Sequence, residues 1–298
     1  MNLNSRAKLS ALLLTLIAYY TAAVGALTYS LSETIIGPAF YDKFIWRSGQ
    51  DPSHGRVNYT SKDVSQKLNL TFATPDTFIL RADYKTVLDP AGPGRNSVRI
   101  RSNASYTTHV AIFDVRHMPQ GCGYGEVDIV EGVHSKPPNL ATLHTTAGCT
   151  MPANRSHTGS SASNNCEGGC NVKFPSNQSF GLAFNDNGGG WFALERTATY
   201  IKLWFWPRKG GAVPSYILIH GYVYMSLYIV RIPNTSCDIT KYFSDNHIIN
   251  NLTFCGDWAG PAYASSGCSL TCTEFVNQNT DYFKNAYFDI AAVRIYKE

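Results

Sequence analysis

The strongest constraint on the fold of this chain is that its apolar residues nowhere recur at the three-and-four spacing of a long amphipathic helix. What recurs instead is short period-two alternation. Val98 and Ile100 alternate with Arg99 and Arg101, and Val293 and Ile295 with Arg294 and Tyr296. Residues 78–83 and 110–115 are further β-prone runs, the first leading to the turn Asp89-Pro90-Ala91-Gly92-Pro93-Gly94. The segment Phe184-Asn185-Asp186-Asn187-Gly188-Gly189 reads as a hairpin turn, because Asn-Gly supplies the positive φ that such turns demand. After it, Ile201, Leu203 and Phe205 alternate with Tyr200, Lys202, Trp204 and Trp206. The aromatic face of that strand either lines a sugar-binding groove or is buried in a two-sided sandwich. Aromatic residues reach 13 %, with 24 Gly and 14 Pro, and together these predict an all-β protein with many turns. Charged residues at 15 % against 44 % hydrophobic exclude intrinsic disorder, and 298 residues suffice for one large domain with a true core.

The N-terminus has the order of a secretory signal. Arg6 and Lys8 precede an apolar run from Leu9 to Val24, and Ala22, Ala23, Gly25 and Ala26 close it with small residues. This predicts a signal peptide over 1–26, a single mature domain over 27–298, and a secreted, extracellular protein with no membrane attachment after cleavage. The cysteine count agrees: Cys122, Cys149, Cys166, Cys170, Cys237, Cys255, Cys268 and Cys272 read as disulfides whose pairing spacing alone leaves open. The Cys spacings and the lack of paired histidines argue against metal ligation, and no cofactor is expected. Seven Asn-x-Ser/Thr sequons begin at Asn58, Asn69, Asn103, Asn154, Asn177, Asn234 and Asn251, so some glycosylation is expected. The net charge of +4 is spread without a basic cluster, which excludes a typical nucleic-acid binder. Residues 151–179, rich in Asn, Ser and Gly and holding two cysteines, read as a stapled loop.

The chemistry concentrates in Gly125-Glu126-Val127-Asp128-Ile129-Val130-Glu131-Gly132, three carboxylates inside an apolar β-prone run. Like charges on one strand repel, a cost that a purely structural strand has no reason to bear. Glu126 and Asp128 share a face, Glu131 is out of phase, and a β-bulge near Ile129 or Val130 would bring it back. The glutamate Cα atoms would then lie about 13 Å apart. Inward-leaning side chains could close the carboxyls to about 5–5.5 Å, the separation of a retaining glycosidase pair.

Glu-x-Asp-x-x-Glu on a bulged strand resembles glycoside hydrolase family 16, and the surrounding residues are similar to its secreted fungal laminarinase-like branch, endo-1,3(4)-β-glucanases. The resemblance is carried by Tyr29-Ser30-Leu31-Ser32, Gly55-Arg56-Val57-Asn58-Tyr59, residues 92–100, residues 125–133, Thr142-Leu143-His144-Thr145, Gly188-Gly189-Gly190-Trp191 and Cys255-Gly256-Asp257-Trp258-Ala259-Gly260. It implies a concanavalin A-like β-jelly-roll sandwich of two curved antiparallel sheets with the groove on the concave face. It also implies retaining endo-hydrolysis of β-1,3 or mixed β-1,3/1,4 glucan, a β-glucan polysaccharide being the partner of a monomeric enzyme. On the same ground Glu126 resembles the nucleophile, Glu131 the general acid/base and Asp128 their electrostatic assistant. His144, Trp258 and, more weakly, Arg99 are the candidate substrate-binding residues.

The chain departs from the family pattern in two places. His117-Met118-Pro119-Gln120-Gly121-Cys122-Gly123 runs through Tyr124 straight into the catalytic motif, without the Trp-rich strand usual there. Residues 216–232 are apolar where the family usually has a polar loop, and exposed they would be an aggregation hazard. The alternatives to an active endo-glucanase are a glucan-binding, lectin-like protein without turnover and a β-glucan transglycosylase using the same covalent intermediate.

Overall fold

The computed structural model describes residues 29–120, 124–125, 129–211, 213, 215, 217 and 228–298. The expected jelly-roll sandwich is what forms. One layer is an eight-stranded antiparallel sheet centred on the strand Tyr287–Lys297, which pairs with His109–His117 on one side and shares its other side between Ser30–Ile35 and Thr77–Arg81. Beyond His109–His117 the sheet continues through Gly190–Arg196 and Tyr200–Pro207 to Val230–Pro233. The opposing layer is built from shorter pieces. Phe44–Trp46, Arg99–Ser102 and Ile249–Asn251 pair side by side, Thr253–Phe254 pairs with Tyr124–Gly125, and Leu140–Leu143, Cys170–Lys173 and Ser160–Ser163 form its far end. Glu131 joins that end through a bridge to Leu140.

The alternation read from the sequence decides what fills the space between the layers. Val98, Ile100, Ala111, Val293 and Ile295 are buried in the core with Phe40, Phe44 and Phe78, while Arg99 and Arg101 take the other phase and are only half-buried. Farther along, Phe192, Leu203, Phe205, Ala141 and Val172 from the two layers meet in a second cluster.

One open alternative closes and two expectations change. The strand Tyr200–Pro207 is buried on both faces. Trp204 and Trp206 pack with Tyr29, Val110, Ile112, Tyr296, Val213 and Ile217 on the outer side of the large sheet, so they do not line a groove. Residues 184–189 are not a hairpin turn: Gly181–Asp186 is a short helix, and Gly188 and Gly189 at φ +75° and +91° turn the chain from it into the strand Gly190–Arg196. The 151–179 segment is stapled by Cys166–Cys170 yet contributes two strands, Ser160–Ser163 and Cys170–Lys173. Of the apolar 216–232 stretch, residues 216 and 218–227 lie outside the described residues. Ile217 is buried, and Ile229, Val230 and Ile232 are buried where Val230–Pro233 forms the edge of the large sheet, which removes them as exposed hazards.

Two further disulfides, Cys149–Cys237 and Cys255–Cys272, tie loops to the layers, and Cys268 is also disulfide-bonded. Cys122 lies outside the described residues. No helix among them is long and apolar enough to cross a membrane.

Candidate active site

The concave face carries a groove of about 820 Å³ whose lining includes Glu131, Arg99, His144 and Trp258. All four described candidates from the sequence therefore face one space, although each comes from a different segment of the chain. Glu126 and Asp128 lie outside the described residues.

Each side chain is placed by its element. Arg99 opens a strand held between Phe44–Trp46 and Ile249–Asn251, and the burial of Val98 and Ile100 turns its guanidinium to the groove. Glu131 follows a bend at Ile129–Val130. Its backbone is held on both sides: the Glu131 N–H donates to Asn139 Oδ1 at 2.8 Å, and the Leu140 N–H donates to the Glu131 carbonyl at 3.0 Å. Asn139, fully buried, also donates through Nδ2 to the Ile129 carbonyl at 2.9 Å and through its N–H to Ser179 Oγ at 2.9 Å. Glu131 is only 7 % exposed, and its carboxyl accepts a hydrogen bond at Oε2 from the Thr142 hydroxyl. A carboxyl fixed in this way at a groove wall can pass a proton to a bound molecule without first reorganising.

His144 stands just beyond the strand Leu140–Leu143, exposed to the groove. It faces the Cys166–Cys170 loop, where Gly169 has φ +96° and a Cβ would lie 2.8 Å from His144 Cε1 and 3.1 Å from Thr142 Cγ2. Glycine is thus required both by the backbone and by the close approach. Trp258, 41 % exposed, begins a turn into the helix Ala259–Ala262 just after the Cys255–Cys272 bridge. An indole half open to a groove is the surface on which an apolar sugar face can stack.

With this geometry in place, comparison with known proteins decides the family. A profile described as the XgeA-like catalytic domain of glycoside hydrolase family 16 matches residues 44–296. The chain belongs to glycoside hydrolase family 16. A probable glycosidase of Schizosaccharomyces pombe is 38 % identical to it, over 91 % of this chain and 70 % of that protein. A probable endo-1,3(4)-beta-glucanase of Aspergillus fumigatus is 35 % identical over 91 % of this chain and 46 % of its own length, so the chain spans about half of that relative. Among solved structures, GH16 laminarinase 16A from Phanerochaete chrysosporium, with 6-O-glucosyl-laminaritriose in both donor and acceptor sites, superposes with a TM-score of 0.88 at 49 % identity. That match covers 91 % of this chain and 100 % of that one. An elongating GH family 16 beta-1,3-glucosyltransferase superposes with a TM-score of 0.83 at 33 % identity, covering 91 % and 100 %.

Sequence reasoning missed several residues of this family 16 groove. Asn139, which holds the Glu131 backbone, carries no motif of its own, and Thr142 was named only as part of the Thr142–Thr145 segment, its bond to Glu131 unforeseen. Asn251, His247 and Asn171 line the groove from strands and loops distant in sequence. Near Trp258, burial pushes the Asp51 carboxyl up, but hydrogen bonds from Thr253, Ser53 and Gly55 outweigh it and leave the group below its ordinary value. On the rim, a hydrogen bond from His54 to Asp257 raises the His54 imidazole. Among the described residues no group of three or more His, Cys, Asp or Glu side chains is placed to hold a metal.

Proposed function

We propose that this family 16 chain is a secreted endo-β-glucanase that hydrolyses β-1,3 or mixed β-1,3/1,4 glucan with retention. The observation that carries the reading is the convergence of Glu131, His144, Arg99 and Trp258 on one open groove in a chain of this family. The laminarinase and glucanase names of its relatives support the same substrate class. In the proposed reaction Trp258 and Arg99 bind glucosyl units and His144 contacts the substrate beside the carboxyls. Glu126 attacks the anomeric carbon while Glu131, protonated, delivers its proton to the leaving oxygen. Glu131 then takes a proton from the water that releases the sugar, restoring the anomeric configuration. Asp128, two residues along the chain from Glu126, tunes it electrostatically. Residues 1–26 act as the export signal and 27–298 as the mature monomeric domain. N-terminal sequencing of the mature protein that found Met1 retained, with eight free thiols, would refute the export assignment.

A second reading, transfer of the glycosyl group to a sugar instead of water, is favoured by the similarity to the elongating glucosyltransferase. Product analysis on laminarin, with and without an acceptor oligosaccharide, separates the two. Short products of retained configuration are expected, and longer products in the presence of acceptor would establish transfer. Binding without turnover would establish a lectin-like protein, and net inversion by NMR would overturn the carboxylate roles. With an activated leaving group, azide is expected to rescue Glu126→Ala to an inverted glycosyl azide and Glu131→Ala to a retained one.

A further inference from the structure

Asp51 is a carboxylate 7 % exposed that plays no part in the chemistry above, and no cationic side chain among the described residues forms an ion pair with it. It is satisfied instead by neutral donors. Oδ2 accepts from Thr253 Oγ1 at 2.5 Å, Ser53 Oγ at 2.7 Å and the Gly55 N–H at 3.0 Å, and Oδ1 accepts from the Tyr59 hydroxyl at 3.3 Å. Three donors on one oxygen require a close approach, and Gly55 permits it: a Cβ there would overlap the Thr253 hydroxyl and lie 2.6 Å from Asp51 Oδ2. Burying a carboxylate is costly unless its lone pairs are met, so this arrangement holds the 51–55 loop in one conformation.

That loop is the support of the segment that presents Trp258. The Ser53 carbonyl accepts from the Asp257 N–H at 2.9 Å, and the Phe254 carbonyl accepts from the Arg56 N–H at 2.6 Å. His54 Nδ1 meets the Asp257 carboxylate at 3.0 Å. Gly256 packs against the same loop, with room for a Cβ only 3.0 Å from the Ser53 carbonyl oxygen. Trp258 follows Asp257 directly, and Ser53, Thr253, Gly256 and Asp257 line the groove beside it.

We infer that Asp51 is a positioning residue that sets the Trp258 sugar platform by locking Ser53 against Asp257. The inference rests on the proposed glucan-binding role of the groove. It also assigns a polarity to the rim. The Ser53 hydroxyl, donating to Asp51, turns only lone pairs outward, so it presents an acceptor to a hydroxyl of a glucosyl unit stacked on Trp258.

The test is a double-mutant cycle. Asp51→Asn keeps the size but replaces one acceptor oxygen by an NH2 group, which cannot meet the donors now facing it. Laminarin hydrolysis by the unmutated chain is measured first; its absence refutes the functional proposal, and the cycle is then run on laminarihexaose Kd by calorimetry. Absence of binding as well refutes both. With activity present, Asp51→Asn is expected to raise KM about fivefold with kcat held within about twofold, because a stacking platform binds ground and transition states alike. In the Trp258→Ala background the same substitution is expected to change KM by less than about twofold, since its effect passes through the indole. Ser53→Ala, at a half-exposed position, repeats the cycle should Asp51→Asn not fold. Equal KM increases in both backgrounds, or an unchanged KM in the single variants, would overturn the inference, because a merely structural role lowers Tm without coupling to Trp258.

Discussion

Gly169→Ala tests whether the stapled loop sets the position of His144. The residue has φ +96°, where an L side chain is strained by about 1–2 kcal/mol. Its new Cβ would lie 2.8 Å from His144 Cε1 and 3.1 Å from Thr142 Cγ2. The loop cannot retreat easily, because Cys166–Cys170 closes it and the Thr145 N–H donates to the Cys166 carbonyl at 2.9 Å. The Thr142 methyl cannot turn away without giving up its hydroxyl's bond to Glu131. The exposed imidazole is therefore the group that moves, into the groove. A total destabilisation of about 2 kcal/mol would lower Tm by about 4–8 °C in a domain of this size. If His144 contacts the glucan as proposed, displacing this groove-facing ring by a few tenths of an ångström to about 1 Å lowers kcat/KM about tenfold. Calorimetry gives the first quantity and reducing-sugar release from laminarin the second. In the Gly169→Ala/His144→Ala double variant the ring contact is gone while the backbone strain and the Thr142 contact remain, so part of the lost Tm returns while activity does not. Unchanged Tm and kcat/KM in Gly169→Ala would refute the reasoning.

Thr142→Val removes the donor to Glu131 Oε2 with little change of shape, and the alkaline limb of the pH–activity profile is expected to move to higher pH, because a bond to the ionised form is lost; an unmoved limb with full activity would count against the contact. Burial, with smaller effects from nearby Arg196 and Lys297, pushes the His109 imidazole down to about 4. The folded state therefore binds fewer protons than the unfolded chain between about pH 6.5 and 4. The neutral ring's contribution is full above about pH 6.5, and about 3 kcal/mol of it is lost as pH falls to about 4. Denaturant unfolding across that window should show the slope, and His109→Gln should flatten it. Restoring a Trp-containing strand between Gly123 and Tyr124 is expected to raise soluble yield and laminarin hydrolysis together, with residues 216–232 left unchanged because Ile217, Ile229, Val230 and Ile232 are buried. Equal performance of the unaltered chain in paired expression would show that Tyr124–Gly125, paired with Thr253–Phe254, already closes the sheet well enough.

The β-sandwich was legible because alternation is a local property: the same period two that sets Val98 and Ile100 against Arg99 and Arg101 decides which face meets the core, whatever the partner strand. The family was legible for a related reason, since the carboxylate spacing around Glu131 and the segments near His144 and Trp258 are contiguous motifs. What one strand cannot encode is what covers its second face. Trp204 and Trp206 could have lined a groove; they are buried because Val213, Ile217 and Tyr296 pack over them, and those partners are distant or irregular in sequence. The hairpin reading of residues 184–189 failed similarly: Asn-Gly marks a reversal equally well at a helix end, and only the packing of Phe184 on Phe192 and Phe205 made the preceding residues a helix. Tertiary structure alone supplied the supports of the site, Asn139 and Thr142 behind Glu131, Gly169 behind His144 and Asp51 beneath the Trp258 loop. Each of these acts through a hydrogen bond or an atomic clearance to a residue of another segment, and such relations exist only once the chain has closed on itself.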